Sequence, residues 1–443
     1  AASDVYKRQR SVSTNGNRQK FTISLWVKKS EINSGTTKYL FTQGSDSANN
    51  FALYFDSNNT LGFWDYGSAY NGRLVTNRLF RDISAWYHIL VRVDTTLATA
   101  DDRMRLYING VQETDFGTRV NPCQNYNTHV NQSGNAVHLG WYTTGSGYFD
   151  GLMSHVHLCD GYSYAPDSFG STDATTGEWK INTNPSVSYG TNGFWWLKDN
   201  ANTTDNSPNS NTFTVANGTL TPTKDCPSNV FATINVLGRN AVGYTIENGN
   251  LSTNGTASNA WRGLYGTLGA SSGKFYYECK IATAYNNTGN GFEIGVADVD
   301  GMLNSGKISD AVRGYAYQQG SSLRNNGSST SYGSRINIGD IVGVAVDLDN
   351  SKLYFHRNGT YENSGDPTSG STGTGAISIA SGYTYVPAFS TYYSADDLQL
   401  NFGNGYFGTT AVSSAGTNAS GIGIFEYDVP TGYTAFSTNG LNE

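Results

Sequence analysis

Two stretches of the chain follow one plan, and that plan restricts what the chain can fold into. The first is Val91-Arg92-Val93-Asp94, then Arg105-Leu106-Tyr107-Ile108-Asn109-Gly110. The second runs from Val342 through Asp347 (VGVAVD), then from Lys352 through Gly359 (KLYFHRNG). Each reads as strand, turn, strand and Asn-Gly turn. Apolar residues recur at every second position, and Asn-Gly suits tight hairpins because both residues tolerate positive φ. The pattern predicts an all-β chain of two antiparallel β-sandwich (jelly-roll) domains in tandem, with almost no helix. Such domains commonly bind through loops rather than perform chemistry.

Composition supports this. Charged residues make up only 14% of the 443, against 52 Gly and 30 Tyr, which is poor helix material and good strand-and-turn material. A net charge of −7 without a basic stripe excludes nucleic acid as a partner. No apolar run approaches the ~20 residues that cross a bilayer, so no membrane insertion is expected. Four irregularly spaced cysteines (Cys123, Cys159, Cys226, Cys279) are too few for a disulfide scaffold. Asn-x-Ser/Thr triplets such as those at Asn217, Asn254 and Asn358 arise by chance in such a composition, and no signal peptide is visible.

The segment Asp4-Val5-Tyr6-Lys7-Arg8-Gln9 looks like a translated sequencing-library adapter, so residues 1–10 are set aside as an artefact. Residues 11–198 carry short alternating strands, with Phe21, Ile23, Leu25 and Val27 on one face. Residues 199–229 read as a linker or surface arm that Phe213 and Val215 would pin. Residues 230–410 form the second domain, with Phe275, Tyr277, Cys279 and Ile281 on one face and Val342, Val344, Val346 and Leu348 on another. Residues 411–443 are a C-terminal tail in which Phe425 to Pro430 suggests one more strand. Nothing marks Glu443 as a natural end.

The residues carry a resemblance. Phe21 to Val27, Trp86-Tyr87-His88-Ile89, Leu106 to Gly110 and Tyr148-Phe149-Asp150-Gly151 resemble a laminin-G-like, concanavalin A-type jelly roll. Gly273 to Glu278, Ile294 to Ala297, Gly339 to Val344, Leu353-Tyr354-Phe355 and Val386 to Phe389 resemble a SPRY domain, with five elements in family order. The combination, with Phe169 to Asp173, Tyr189 to Phe194 and Val429 to Ala435, is similar to structural proteins of tailed bacteriophages. The resemblance implies a non-catalytic virion protein, in a tail or fibre, that binds a bacterial surface glycan or protein. It also implies other virion proteins as partners, and a homotrimer if the protein is a fibre. The alternatives are a purely architectural virion protein and a polysaccharide depolymerase.

Catalytic motifs are thin. Glycoside hydrolysis needs two carboxylates ~5–9 Å apart, and no Glu-x-Asp-x-(x)-Glu run exists; Glu278 and Glu293 stand alone on strands. Gly269-Ala270-Ser271-Ser272-Gly273 matches a nucleophile elbow, but a strand rather than a helix follows it. His155 and His157 alternate with Val156 and share a face with Cys159, a spacing that suits a metal but reads first as two polar residues on one strand face. Asp46, Asp56, Asp65, Asp101 and Asp102 have the chemistry for calcium without a fixed-spacing motif, so no cofactor is assigned. Aromatic rings at strand ends and in loops suit sugars, which offer apolar faces and hydroxyls. The ligand candidates are Trp64, Tyr66, Tyr70, Trp141, Tyr142 and Tyr148 in the first domain, and Tyr285, Tyr317 and Tyr332 in the second.

Overall fold

In a computed structural model of the chain, the described residues are 7–442 except 33–34, 199–202, 218–219, 239–242, 256–259, 286–288, 290 and 303–305. Asp4, Val5, Tyr6 and Asp199, at the starts of the expected adapter and linker, lie outside them. The chain divides into two compact units between Pro222 and Thr223. Both are antiparallel β-sandwiches. Helix among the described residues is confined to Val299–Met302 and a few single 3-10 turns, and none is long and apolar enough to cross a membrane.

The first unit stacks an eight-stranded sheet on a six-stranded one. Lys20–Lys29, between Tyr87–Asp94 and Gly151–Asp160, lies at the middle of the six-stranded sheet. Phe21, Ile23, Leu25 and Val27 all enter the core and meet Phe41, Phe51, Leu53 and Phe63 from the facing sheet. Period-two burial of this kind is what one closed face demands. Residues 7–11, partly set aside in the sequence, form the strand Lys7–Ser11, which pairs with Ala136–Leu139 and with Thr214–Asn217. The Asn/Thr/Pro-rich stretch up to Pro222 lies along the first unit: Phe213 is buried against Trp196, ring centroids 4.8 Å apart. Asp205 holds it there by accepting from the backbone N–H groups of Trp195 (2.8 Å) and Asn211 (2.6 Å).

In the second unit, Lys274–Thr283, Ile341–Asp347 and Lys352–Arg357 run side by side in one sheet. The other sheet centres on Phe292–Asp298 between Gly314–Gln318 and Tyr385–Thr391. Val342, Val344 and Val346 point into the shared core with Phe275, Tyr277, Cys279 and Ile281. The C-terminal residues belong to this unit. Thr434–Ala435 pairs in parallel with Phe275 and Tyr276, and Phe425, Val429 and Tyr433 bury the outward residues Tyr276, Ala345 and Tyr354. Residues 425–430 do not form the suggested strand; the strand falls at Thr434–Ala435.

The repeated Asn-Gly device works the same way in both units. Asn109 and Gly110 have φ of 48° and 80°, Asn358 and Gly359 of 51° and 83°, the left-handed geometry of a two-residue hairpin turn. Each Asn also ties its hairpin to the strand before it. Asn109 Oδ1 accepts from His88 N at 2.7 Å, and Asn358 Oδ1 from Ile341 N at 2.8 Å. Asn109→Ala and Asn358→Ala each lose the bond and force alanine into positive φ. A loss of about 2 kcal/mol is expected in urea unfolding of the affected unit. Variants within ~0.5 kcal/mol of wild type would show the turns to be incidental.

Candidate functional site

The outer faces of the first unit's two sheets are treated differently. Outside the six-stranded sheet, Leu90, Tyr107, Cys159 and Trp195 of its strands are buried with Phe169 and Tyr189 from the chain after residue 160. The outer face of the eight-stranded sheet instead carries rings. Tyr54 and Trp64 alternate with the core residues Leu53, Phe55 and Phe63, so period two sends them outward. Tyr54 packs on Trp64 at 4.5 Å, Tyr39 meets Trp64 at 6.1 Å and stacks on Tyr142 at 4.5 Å, and Trp64 meets Tyr70 edge-on at 6.0 Å. Tyr66 lies 5.0 Å from Tyr70, and the Arg73 guanidinium sits 4.4 Å over the Tyr70 ring. Tyr70 is 41% exposed; Tyr39, Trp64, Tyr66 and Tyr142 are half-buried. The fully buried Tyr54 floors the cluster. Its ring needs Gly62, where a Cβ would stand 2.6 Å from the tyrosine Oη.

One buried amide orients two of these rings. Asn50 Oδ1 accepts from Trp64 Nε1 at 2.8 Å. Asn50 Nδ2 donates to Tyr142 Oη at 3.1 Å and to the carbonyls of Asp46 and Ser47. The polar edge of Trp64 is thereby satisfied within the protein, while the residue itself stays half-exposed among the rings. Tyr39, Tyr54, Asn50 and Arg73 were not among the sequence candidates; strand parity around Trp64 could have found Tyr54 and Asn50.

The other sequence candidates scatter. Tyr148 is half-buried beside the cluster, its hydroxyl donating to Gly145 O at 2.7 Å. Trp141 is buried, its ring 4.2 Å from His138. Tyr317 and Tyr332 are not open to a ligand: both are buried core rings, packed at 5.3 Å on each other and against Phe355. Tyr317 faces inward because Gly314–Gln318 is a strand whose inner face it occupies. Tyr285 is 63% exposed and stacks on Tyr393 at 4.5 Å, in a second ring group with Tyr392 and Trp261, over which Lys307 Nζ sits at 4.9 Å. The buried Asp396 secures this group by accepting from the backbone N–H groups of Tyr285 and Tyr393.

His155 and His157 lie on the outer face with Cys159, but a bulge between Ser154 and His157 puts His155 at φ 48°. The two ring centroids are 6.5 Å apart, and His157 Nδ1 pairs with Tyr189 Oη at 3.0 Å. Burial holds His157 well below the usual imidazole range and pushes the Cys159 thiol up. Among the described residues no three His, Cys, Asp or Glu side chains gather as a metal site. The five aspartates are engaged locally. Asp46 accepts from Ala48 N, Asp56 from Thr37 Oγ1, Asp65 from Tyr126 Oη and His129 N, Asp101 from Arg119 and Asn121, and Asp102 from Arg105.

Ser24 Oγ lies 2.8 Å from His88 Nε2, a distance that invites comparison with a nucleophile and its base. The tautomer is wrong for that role. Trp179 Nε1, which can only donate, gives its proton to His88 Nδ1 at 3.0 Å. His88 Nε2 therefore carries the hydrogen and donates to Ser24. The ring is sealed between Trp26 and Trp179, and burial lowers its pKa to about 3. Glu278 and Glu293 are both fully buried, on different sheets. Glu293 is taken up by Ser309 Oγ at 2.7 Å and Ser309 N at 3.1 Å.

Comparison with known proteins agrees with the two sandwiches. Residues 6–167 match the family model of the concanavalin A-like lectin/glucanases superfamily, and residues 274–405 match the SPRY domain. No curated protein sequence matches the chain. Among solved structures, the SPRY domain of human HERC1 aligns at 16% identity and TM-score 0.29, over 38% of this chain and 93% of that one. A heptameric SAP-like pentraxin from Limulus polyphemus aligns at 16% identity and TM-score 0.28, over 37% and 74%. The stonustoxin structure aligns at 16% and TM-score 0.28, over 38% of this chain and 27% of that one. A lectin-like domain followed by a SPRY domain suggests a binding role.

Proposed function

We propose that the chain is a non-catalytic adhesion protein whose first unit holds a glycan on the outer face of its eight-stranded sheet. The observation that carries this reading is the contiguous ring cluster of Trp64, Tyr66, Tyr70, Tyr39 and Tyr142 on the outer face of the eight-stranded sheet, with Tyr70 exposed at its edge. Trp64 and Tyr70 offer stacking surface, and the Arg73 guanidinium offers donors at the rim. Asn50 is a positioning residue that fixes Trp64 and Tyr142 before the ligand arrives, which lowers the ordering cost of binding. Single contacts of this kind are weak, and copies displayed together would supply avidity. In this reading, which rests on the sequence resemblance to tailed-phage structural proteins, such copies would stand on a virion, with a bacterial surface glycan as ligand and virion proteins as neighbours. The Tyr285–Tyr393–Trp261 group would serve as a second contact surface.

A glycan array with the full chain, followed by calorimetric titration of the best hit, tests this. Trp64→Ala is expected to weaken binding at least tenfold, equivalent to ~1.4 kcal/mol. Asn50→Ala should weaken it several-fold. An unchanged Kd in Trp64→Ala rejects the ring face. Silence across the array, with the chain co-purifying with virion proteins, favours the architectural role. Release of reducing ends from host polysaccharide would rescue the depolymerase.

A further inference from the structure

The second unit contains a cavity of about 350 Å³ that the ring surfaces do not use. Its walls come from three places. The start of the strand Lys274–Thr283 gives Ser272, Gly273, Lys274 and Phe275; the turn after Ile341–Asp347 gives Asp349; the C-terminal segment gives Gly432, Thr434, Gly440 and Leu441. The size falls in the ~300–1,000 Å³ range of small-molecule sites.

The lining fixes the chemistry of an occupant. Ser272 and Asp349 are exposed at the rim, while Phe275, Thr434 and Gly440 are buried behind them. Asp349 spends one carboxylate oxygen on Gly273 N, at 2.7 Å, which leaves the other free. Lys274 Nζ is held 2.9 Å from the buried Asp347, so its charge is already neutralised while its remaining hydrogens can donate. The Thr434 hydroxyl makes no hydrogen bond among the described residues. With two aspartates and one lysine nearby, an anion is repelled. Leu441 offers a partly exposed apolar side chain, and Gly273 and Gly432 expose bare backbone. A mainly polar lining of a carboxylate, an ammonium and hydroxyls, with Leu441 on one side, matches a small neutral ring that carries many hydroxyls.

We propose that this cavity binds one neutral sugar residue, as a glycan contact separate from the ring face of the first unit. It shares with the preceding reading only the class of ligand. The test is ¹H–¹⁵N NMR of the full chain titrated with glucose, galactose, mannose and N-acetylglucosamine, with glucuronic acid as the anionic comparison. Saturable shifts of the Gly273, Gly432 and Gly440 amides by at least one neutral sugar are expected, with Kd on the order of 1–10 mM. Ser272→Trp, which plugs the exposed rim, should abolish them. Asp349→Asn, which keeps an acceptor for Gly273 N, should weaken them several-fold. Trp64→Ala should leave them intact, so loss of the ring face and loss of the cavity are separable. No saturable shift with any neutral sugar, shifts that survive Ser272→Trp, or a response to glucuronic acid alone would each overturn the proposal.

Discussion

Replacing Gly343 by alanine is expected to cost the second unit about 4 kcal/mol, enough to unfold it in part near physiological temperature. Gly343 lies mid-sheet between two cross-strand partners, Glu278 on one side and His356 on the other. The His356 imidazole folds over the space a side chain would fill: a Cβ at residue 343 would stand 1.9 Å from Nε2 and 2.4 Å from Cδ2. The backbone there is not left-handed, so the cost is steric and not conformational. The ring cannot move aside freely. Its Nδ1 accepts from Gly359 N at 3.2 Å, and its Nε2 lies 2.6 Å from Tyr276 Oη. Because a backbone N–H only donates, Nε2 holds the hydrogen and gives it to Tyr276, which passes its own to Glu278 Oε1 at 3.0 Å. Overpacking costs ~1–3 kcal/mol, and each buried group left unpaired costs ~1–3 more. Urea unfolding measures the loss. The double variant Gly343→Ala/His356→Ala has room for the methyl and should cost less than the two single variants summed. A single Gly343→Ala within ~1 kcal/mol of wild type would sink this account.

The core was legible in the sequence because one rule governs it. Phe21 to Val27 and Val342 to Val346 alternate, and a one-residue slip would turn every apolar side chain to water. The two Asn-Gly turns were legible for a similar reason, since few residues accept that backbone. The outward faces were not. Parity places Tyr276 and Glu278 opposite Cys279, which reads as solvent; they are buried because a segment about 150 residues later folds over them, and period two carries no information about that. The ring cluster joins Trp64 to Tyr142, each chosen singly, but their common holder Asn50 looked like one more polar residue in an Asn-rich chain. Tyr317 was misplaced for a local reason. Gly, Ser and Asn around it suggested a loop, whereas Gly314–Gln318 is a strand facing the core.

Glu278 should make the closure of the C-terminal segment depend on pH. The carboxylate accepts from Glu426 N (2.9 Å), Tyr427 N (2.8 Å), Tyr276 Oη (3.0 Å) and Asn401 Nδ2 (3.1 Å), so it anchors the chain that covers the sheet. Burial raises its pKa from 4.5 to about 7, against the opposing pull of those four donors. Between these values the folded protein keeps a proton that the opened segment loses. Closure is therefore strongest below pH ~4.5 and weakens as pH rises through 7, by roughly 3 kcal/mol in all. His356 runs the other way. Burial lowers its pKa to about 3, so it makes folding more favourable as pH climbs from 3 to 6.5, and Asp397, raised to about 6, with the raised Glu293 and Asp396, adds to the whole-protein profile. Glu278→Gln isolates the carboxylate, because the histidine and the other titrating groups are present in both proteins. Hydrogen exchange at the Glu426 and Tyr427 amides, corrected for intrinsic rates, reports the opening free energy. The wild-type value minus the Glu278→Gln value should fall by roughly 2.5 kcal/mol between pH 5 and pH 8. Parallel profiles would mean that Glu278 stays ionised throughout, held so by its four donors.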